Sequence, residues 1–379
     1  MSRRFWLLVI LTGVAARLFL WWISIGSNDA VTWYEYAESV AGNGLAATYR
    51  NIQPFNHPPL MGLYMMQAWH WSGQDLLTFV LLLKLPGLAG EALILWALWR
   101  FAGPRASAAY ACLPAAILVS GYHGNTDCLY AAFVLLAVIA FDRRFFFLAG
   151  LLLAAAVNVK ILPLVLVPLV LIGAPNRRAL LRLIAGLAIG LVPFAAPVLA
   201  AGPAMYRNMV AYNSNADNWG LLVLLRSVAH IPGLADFGGA MVEGYRTAGR
   251  YIVIAAIILV ALQCKFRASR PMAEQAALGA ALFLLFTPGF GVQYVVFVAP
   301  LLCLVDVSAA LRWGCVSGLF IGLVYWTFRV PSLPLASAFV GRFPAPAWPV
   351  GLVAWAILLH IAWRHRPLGA RPGATSSAA

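Results

Sequence analysis

Asp29 is the residue whose type and position best suit acid–base chemistry. It lies in the polar interval 27–60, between two strongly apolar runs. An ionised aspartate at a membrane surface can act as a general base, because it can accept a proton from a hydroxyl group. From Ala30 to Val40, apolar residues recur with helical spacing, which predicts a short amphipathic helix. Two interpretations of Asp29 stay open, a general base or the N-cap of this helix.

The same interval ends in a histidine that precedes two prolines. Prolines are tolerated in the first turn of a helix, so Pro58 and Pro59 predict that a helix begins here. His57 is then either a neighbour of a helix cap at Asn56 or a substrate contact. The apolar segment 58–72 is too short to cross a bilayer, and we expect it to lie along the outer surface.

A second polar cluster, YHGNTD at 122–127, joins two apolar runs. Glycine and asparagine are common turn formers, so a turn alone explains part of it. A bare turn does not require a histidine and an aspartate as well. We therefore interpret His123, Asn125 and Asp127 as candidate substrate contacts.

Lys160 ends the segment VNVK, beside an apolar run. A cation there either snorkels to the interface or binds an anion such as a phosphate. Later in the chain, Gln293 and Tyr294 follow a glycine-containing break between two apolar runs. These two residues either contact a sugar or simply follow a turn.

Three further charges, Arg17, Lys84 and Glu91, lie within apolar runs. Lys84 and Glu91 are seven residues apart, which puts them on one helical face about 10 Å apart along the axis. We expect Lys84 and Glu91 to form a structural pairing, direct or relayed, rather than to take part in catalysis.

The elements that must position these residues are membrane helices. Of the 379 residues, 63% are hydrophobic and only 10% are charged, whereas soluble domains average about 25% charged. Many of the apolar runs approach 20 residues, which predicts an all-α polytopic membrane protein with about twelve transmembrane helices. The predicted helices cover 5–25, 76–99, 106–121, 128–141, 145–158, 160–174, 179–201, 250–266, 273–287, 291–308, 313–328 and 346–363.

The formal net charge of +14 does not indicate nucleic-acid binding, because the basic residues form small groups between apolar runs. Their distribution predicts an internal N-terminus and two large external loops, 26–75 and 202–249. We expect a single membrane domain over 1–366 and a disordered cytoplasmic tail at 367–379. The five cysteines show no ligand spacing, so neither a zinc site nor a disulfide framework is predicted.

Taken in order, these motifs resemble the GT-C superfamily of polytopic glycosyltransferases, which use polyprenyl- or dolichyl-phosphate-linked sugars. The nearest resemblance is to the bacterial mannosyltransferase-like GT87 branch. Some superfamily members carry two adjacent acids, whereas here Asn28 precedes the single Asp29, which favours a reaction without a metal or other cofactor. The resemblance rests on Asp29 after the first helix, Pro58–Leu60, His123–Asp127, Lys160 and the Gln293-Tyr294 pair.

The resemblance implies an inverting hexosyl transfer, with mannose as the leading candidate, from a polyprenyl-phosphate donor to a hydroxyl of a glycan or glycolipid. Asp29 would take the hydroxyl proton. A phosphate leaving group needs cationic stabilisation, which Lys160 would supply together with His57, His123 or Arg226. The site would face the exterior of a bacterial inner membrane, and the excess of Arg over Lys, 23 to 3, suggests a GC-rich bacterial genome.

Other classes of membrane protein make different predictions. A transporter or flippase of a lipid-linked glycan predicts repeated halves and charges near the bilayer midplane, and no internal repeat is evident. A ligase or polymerase of lipid-linked glycans and a structural membrane subunit are further alternatives. A structural subunit gives no reason for Asp29 and Lys160.

Overall fold

The computed structural model describes residues 2–212, 219–267, 270–327, 336–337 and 344–367, and these are almost entirely helical. The predicted all-α fold is confirmed. In chain order the helices are α1 (Arg3–Ile23), α2 (Asn28–Asn43), α3 (Leu45–Asn51), α4 (Pro59–Trp71), α5 (Leu76–Phe101), α6 (Pro104–Ala111), α7 (Pro114–Ile117), α8 (Asp127–Asp142), α9 (Phe146–Val159), α10 (Val167–Ile172), α11 (Arg177–Gly190), α12 (Ala195–Met205), α13 (Gly220–Ala229), α14 (Ala235–Phe266), α15 (Met272–Phe286), α16 (Ala299–Val305), α17 (Val307–Thr327) and α18 (Ala347–Arg364).

Irregular helical turns and one short strand pair connect these helices. Residues 118–123 and 206–210 form π-helical turns, and 162–166, 192–194 and 292–296 form 3₁₀ turns. Strand β1 (Gly26–Ser27) pairs in parallel with β2 (Ala336–Ser337), with Gly26 opposite Ala336. The pairing ties the start of α2 to a segment that follows α17.

Four of the predicted transmembrane helices are broken. The runs 106–121, 160–174, 179–201 and 291–308 each divide into shorter helices or 3₁₀ turns. In each of them a proline starts a new helical segment, because its ring excludes the preceding backbone hydrogen bond. Hydropathy alone does not register these breaks, because the side chains stay apolar across them.

The predicted number of twelve spans is not confirmed. Among the described residues, five helices are long and apolar enough to cross a membrane, or six if the bent pair Arg177–Gly190 and Val192–Val210 counts as one. These helices establish a polytopic, membrane-embedded protein. The five are α1, α5, α14, α17 and α18.

The span predicted from residue 250 begins earlier in the structure. α14 begins at Ala235 and not at residue 250, so residues 202–249 contain α13 and the first turns of α14. The tail predicted at 367–379 lies, apart from Pro367, outside the described residues.

A buried ion pair fixes α1 against α5. Arg17 Nε lies 2.8 Å from Glu91 Oε2, and both side chains are almost fully buried. The Tyr110 hydroxyl donates to Glu91 Oε1 at 2.9 Å, and the Arg17 guanidinium donates to the carbonyl of Ala111 at 2.5 Å. Glu91 therefore pairs with Arg17 and not, as the helical spacing predicted, with Lys84, although its role is structural.

Lys84 makes a different structural contact from the one expected. Its Nζ donates to the Ser24 carbonyl at the end of α1 and lies 3.4 Å from the Gly121 carbonyl in the π-helical turn. Lys84 therefore ties the end of α1 to the turn that carries His123.

Candidate active site

Asp29 lies in the first turn of α2, but it is not the helix cap. The Ser27 hydroxyl accepts from the backbone N–H of Asp29 at 3.2 Å and so takes the N-cap position. The predicted apolar face of α2 is confirmed, because its side chains from Ala30 to Val40 pack into the core. The Asp29 side chain stays 34% exposed and is therefore accessible to a substrate.

The backbone before α2 is fitted closely against the turn that holds His123. Gly26 has a φ of +93°, which other residues rarely adopt. A Cβ at this position would lie 2.7 Å from the His123 carbonyl oxygen. Only glycine therefore lets the start of α2 approach this turn.

This approach brings His123 to Asp29. His123 Nε2 lies 3.2 Å from Asp29 Oδ2, although its geometry falls short of a strict hydrogen bond. On the other side of the ring, Nδ1 lies 2.7 Å from the Tyr325 hydroxyl. If Tyr325 donates to Nδ1, the neutral imidazole carries its proton on Nε2, facing the carboxylate.

These charges determine the ionisation of Asp29. Burial alone would raise the pKa of Asp29, but the proximity of His123 and the charge of Lys160 together outweigh it. The pKa of Asp29 is consequently held below its usual 3.8. The carboxylate is ionised at neutral pH and available as a proton acceptor.

Lys160 and Asp127 form a second pair at the junction of two antiparallel helices. Lys160 Nζ lies 2.8 and 3.0 Å from the two carboxylate oxygens of Asp127, which is fully buried. Asp127 begins α8 and Lys160 follows the last residue of α9, so each charge complements its helix dipole. Asn125 is buried beside them, and its Oδ1 accepts from Thr126 N–H at 2.6 Å.

A cavity of about 460 Å³ opens beside Lys160. Its walls are mostly apolar and come from the 160–168 segment, α14 and α15. Its polar lining includes Lys160, Arg250 and Tyr294, and Lys160 Nζ lies 4.8 Å from the centre of the Tyr294 ring. The cavity therefore combines a long apolar wall with two cations.

His57 is buried in an aromatic cage and does not act as a cation. Its ring packs edge-on against Trp33, with centroids 4.1 Å apart, and the Tyr49 hydroxyl donates to its backbone carbonyl at 2.6 Å. Burial, followed by the charge of Lys160, lowers the pKa of His57 to about 3. His57 is therefore neutral at pH 7.

Two of the residues expected to bind substrate lie apart from these contacts. Arg226 belongs to α13, which packs against α14, α15 and α18. Gln293 is half-buried in the 3₁₀ turn 292–296. Neither residue belongs to the Asp29–His123 or Asp127–Lys160 pair, and neither lines the cavity beside Lys160.

Two residues that sequence reasoning did not select belong to the site. Tyr325 contacts His123 from α17, and Arg250 lines the cavity from α14. Arg250 resembles a topology charge in the sequence, and Tyr325 resembles an aromatic residue at the end of a span. The signal that the sequence offered for each residue was a polar group in or at the start of an apolar run.

The described residues contain no group of three or more His, Cys, Asp or Glu side chains that could hold a metal ion. The acidic and imidazole groups present form pairs, Asp29 with His123 and Asp127 with Lys160.

The fold defines a membrane-embedded helical protein, and its candidate site pairs Asp29 with His123 and Lys160 with Asp127. Residues 105–288, just under half of the chain, match the sequence model of Glycosyltransferase family 87. The match confirms the resemblance to this family that the motifs predict. A search of curated proteins gave no significant match. The family match includes His123, Asp127 and Lys160, whereas Asp29, Tyr294 and Tyr325 lie outside it.

Proposed function

We propose that the protein transfers a hexose, with mannose as the leading candidate, from a polyprenyl-phosphate donor to a hydroxyl of a glycan or glycolipid acceptor. The observation that supports this most directly is the cavity beside Lys160. Its apolar wall suits a polyprenyl chain, and its cations suit the phosphate to which the chain is attached.

Lys160 can bind a phosphate while it stays paired. An ammonium group has three donors, and Asp127 accepts from it with two oxygens. Asp127 offsets one of the two cations of the cavity, so a phosphate would still meet net positive charge. Arg250, whose guanidinium donates to the carbonyls of Val210 and Ala211, supplies the second cation.

The transfer proceeds with inversion at the anomeric carbon. The acceptor oxygen forms a bond to that carbon from one face, while the bond to the phosphate oxygen breaks on the opposite face. Asp29 takes the proton of the acceptor hydroxyl, and His123 holds the carboxylate ionised. The polyprenyl phosphate leaves with its charge stabilised by Lys160 and Arg250.

The site would face the exterior of a bacterial inner membrane. A donor embedded in the bilayer accounts for an enzyme of sugars that is itself mostly apolar. The basic groups between the apolar runs support this orientation, because they favour the cytoplasmic side at the opposite ends of α8 and α9.

The experiment is a transfer assay with purified full-length protein, radiolabelled polyprenyl-phosphate mannose or glucose, and candidate glycolipid acceptors. Asp29→Asn is expected to lower kcat by about 10²- to 10⁴-fold, the usual contribution of a general base, with little change in KM for the donor. Glu38→Gln, an exposed acid on the same helix, is the matched control. Undiminished transfer by Asp29→Asn would remove Asp29 as the base.

A further inference from the structure

A second cavity lies at the end of the bundle far from Asp29. It has a volume of about 450 Å³ and lies where α8 ends, about 24 Å from Asp127 along the helix axis. Its lining includes three basic side chains, Arg144, Lys265 and Arg270. The distance places this cavity outside the proposed active site.

Two of the charged groups in this cavity already have hydrogen-bond or ion-pair partners. Asp142 accepts from the backbone N–H groups of Met272 and Ala273, at 2.7 and 3.1 Å, at the start of α15. Arg270 pairs with Glu274 at 3.1 Å. These contacts do not involve the other two cations of the lining, Arg144 and Lys265.

Arg144 and Lys265 are the remaining cations of the lining, and their two charges outnumber the single carboxylate of Asp142. Neither forms an ion pair with another described residue, and both are exposed at the mouth of the cavity. Gln275 lines the same cavity, and its buried Oε1 has no hydrogen-bond partner among the described residues. The cavity thus offers two cations for an anion and one acceptor for a hydrogen-bond donor.

The residues beside these cations are large and apolar. Phe145 follows Arg144 and is 61% exposed, and Phe266 follows Lys265 and is 75% exposed. Exposed aromatic rings next to basic residues are typical of the membrane interface, where the rings contact lipid and the cations contact phosphates.

We propose that this cavity binds the phosphate diester of a lipid head group that also carries a hydrogen-bond donor, such as phosphatidylglycerol. Arg144 and Lys265 contact the phosphate, and Gln275 Oε1 accepts from the donor of the head group. The shared chemistry is that of a phosphate, which a free anion also provides. The exposed phenylalanines favour the lipid as its source.

The test is native mass spectrometry of the full-length protein in detergent, titrated with phosphatidylglycerol, phosphatidylcholine or inorganic phosphate. We expect tighter binding of phosphatidylglycerol than of phosphatidylcholine, whose head group has no donor. The double variant Arg144→Ala/Lys265→Ala should weaken phosphatidylglycerol binding about 30-fold. The variant Arg177→Ala/Arg178→Ala, which removes two exposed arginines from the start of α11, should bind as the wild type does.

Each other outcome has a definite meaning. Inorganic phosphate binding that is lost in the double variant, without a preference for phosphatidylglycerol, would support the phosphate site and assign it to a soluble anion. Equal binding of every ligand by the wild type and the double variant would overturn the proposal. The melting temperature of each variant shows whether it is folded, so a loss of binding cannot be confused with a loss of structure.

Discussion

At the scale of single residues, three side chains form a chain of contacts that ends at the carboxylate of Asp29. Asp29 contacts His123, and His123 contacts Tyr325 through its other ring nitrogen. The tyrosine therefore acts through the histidine and is a positioning residue. Its hydroxyl selects which nitrogen of the ring carries the proton.

Removal of His123 should change the pH dependence of transfer. His123 lowers the pKa of Asp29, so His123→Gln should raise that pKa and move the acid limb of kcat/KM to higher pH. Tyr325→Phe should produce a smaller shift in the same direction, because the ring remains but loses its orientation. The measurement is a pH–rate profile for each variant.

The control for these variants is Tyr245→Phe, which removes another tyrosine hydroxyl bonded to a carbonyl, far from Asp29 along the chain. It should leave the acid limb unchanged. An identical profile for the wild type and His123→Gln would show that the histidine does not influence the base.

The stability of the protein should fall in acid because of His57. Its pKa is about 3 in the folded protein and 6.5 when unperturbed, so between these values the unfolded chain binds a proton that the folded chain does not. The stabilisation is complete above pH 6.5 and is lost as the pH falls toward 3, by about 2 kcal/mol at pH 5. His57→Gln should reduce this loss, as measured by melting temperature at pH 7.5 and pH 5. Equal acid sensitivity of the two proteins would contradict the assignment.

At the scale of elements, the buried charges align the helices that carry the site. Arg17 and Glu91 join α1 to α5, and Lys84 joins the end of α1 to the turn before α8. The Gly26 backbone then contacts this turn directly. The position of Asp29 relative to His123 thus follows from how α1, α5 and the turn pack together.

Breaking the ion pair should be costly, because it leaves a buried charge without its partner. Glu91→Ala is expected to destabilise the protein by about 3–5 kcal/mol, and the double variant Arg17→Met/Glu91→Leu should recover part of this loss. The exposed pair of Arg246 and Glu243 provides the control, since Glu243→Ala should change stability by less than about 0.5 kcal/mol. Chemical denaturation monitored by fluorescence measures all three. A double variant less stable than Glu91→Ala would contradict this account.

At the scale of the whole molecule, the cavity beside Lys160 brings together segments that are distant in sequence. α14 contributes Arg250 and Ile254, and the 160–168 segment contributes the opposite wall. The shape of the cavity therefore depends on how these segments pack. The extent of its apolar wall determines how much of a lipid chain it can bury.

Filling the cavity should discriminate between donors by chain length. Ile254→Trp is expected to raise KM for a long polyprenyl-phosphate donor about tenfold and to affect a short citronellyl-phosphate donor much less. Ile252→Trp is a matched control, because Ile252 lies on the same helix with the same exposure, 41%, and does not line the cavity. Steady-state kinetics with both donors measures the effect. An equal change for long and short donors would exclude the cavity as the chain-binding site.

The sequence predicts the helical class, the face of α2 and the residues that could carry charge, because these depend on local composition and period. It does not predict the breaks at prolines, because apolar side chains continue across them. It also does not predict the early start of α14, because polar side chains occupy the first turns of that helix. Tyr325 and Arg250 escape sequence reasoning for a related reason. Their roles come from contacts with distant segments, which no local pattern records.

The contact between His123 and Tyr325 spans 202 residues of chain. At a synthesis rate of about 5–20 residues per second, the histidine leaves the ribosome about 10 to 40 s before its tyrosine partner. During this interval the nascent chain already contains Asp29 and Lys160, but the orientation of the imidazole is not yet fixed. The contact that orients His123 therefore forms late in biosynthesis, when α17 joins the bundle.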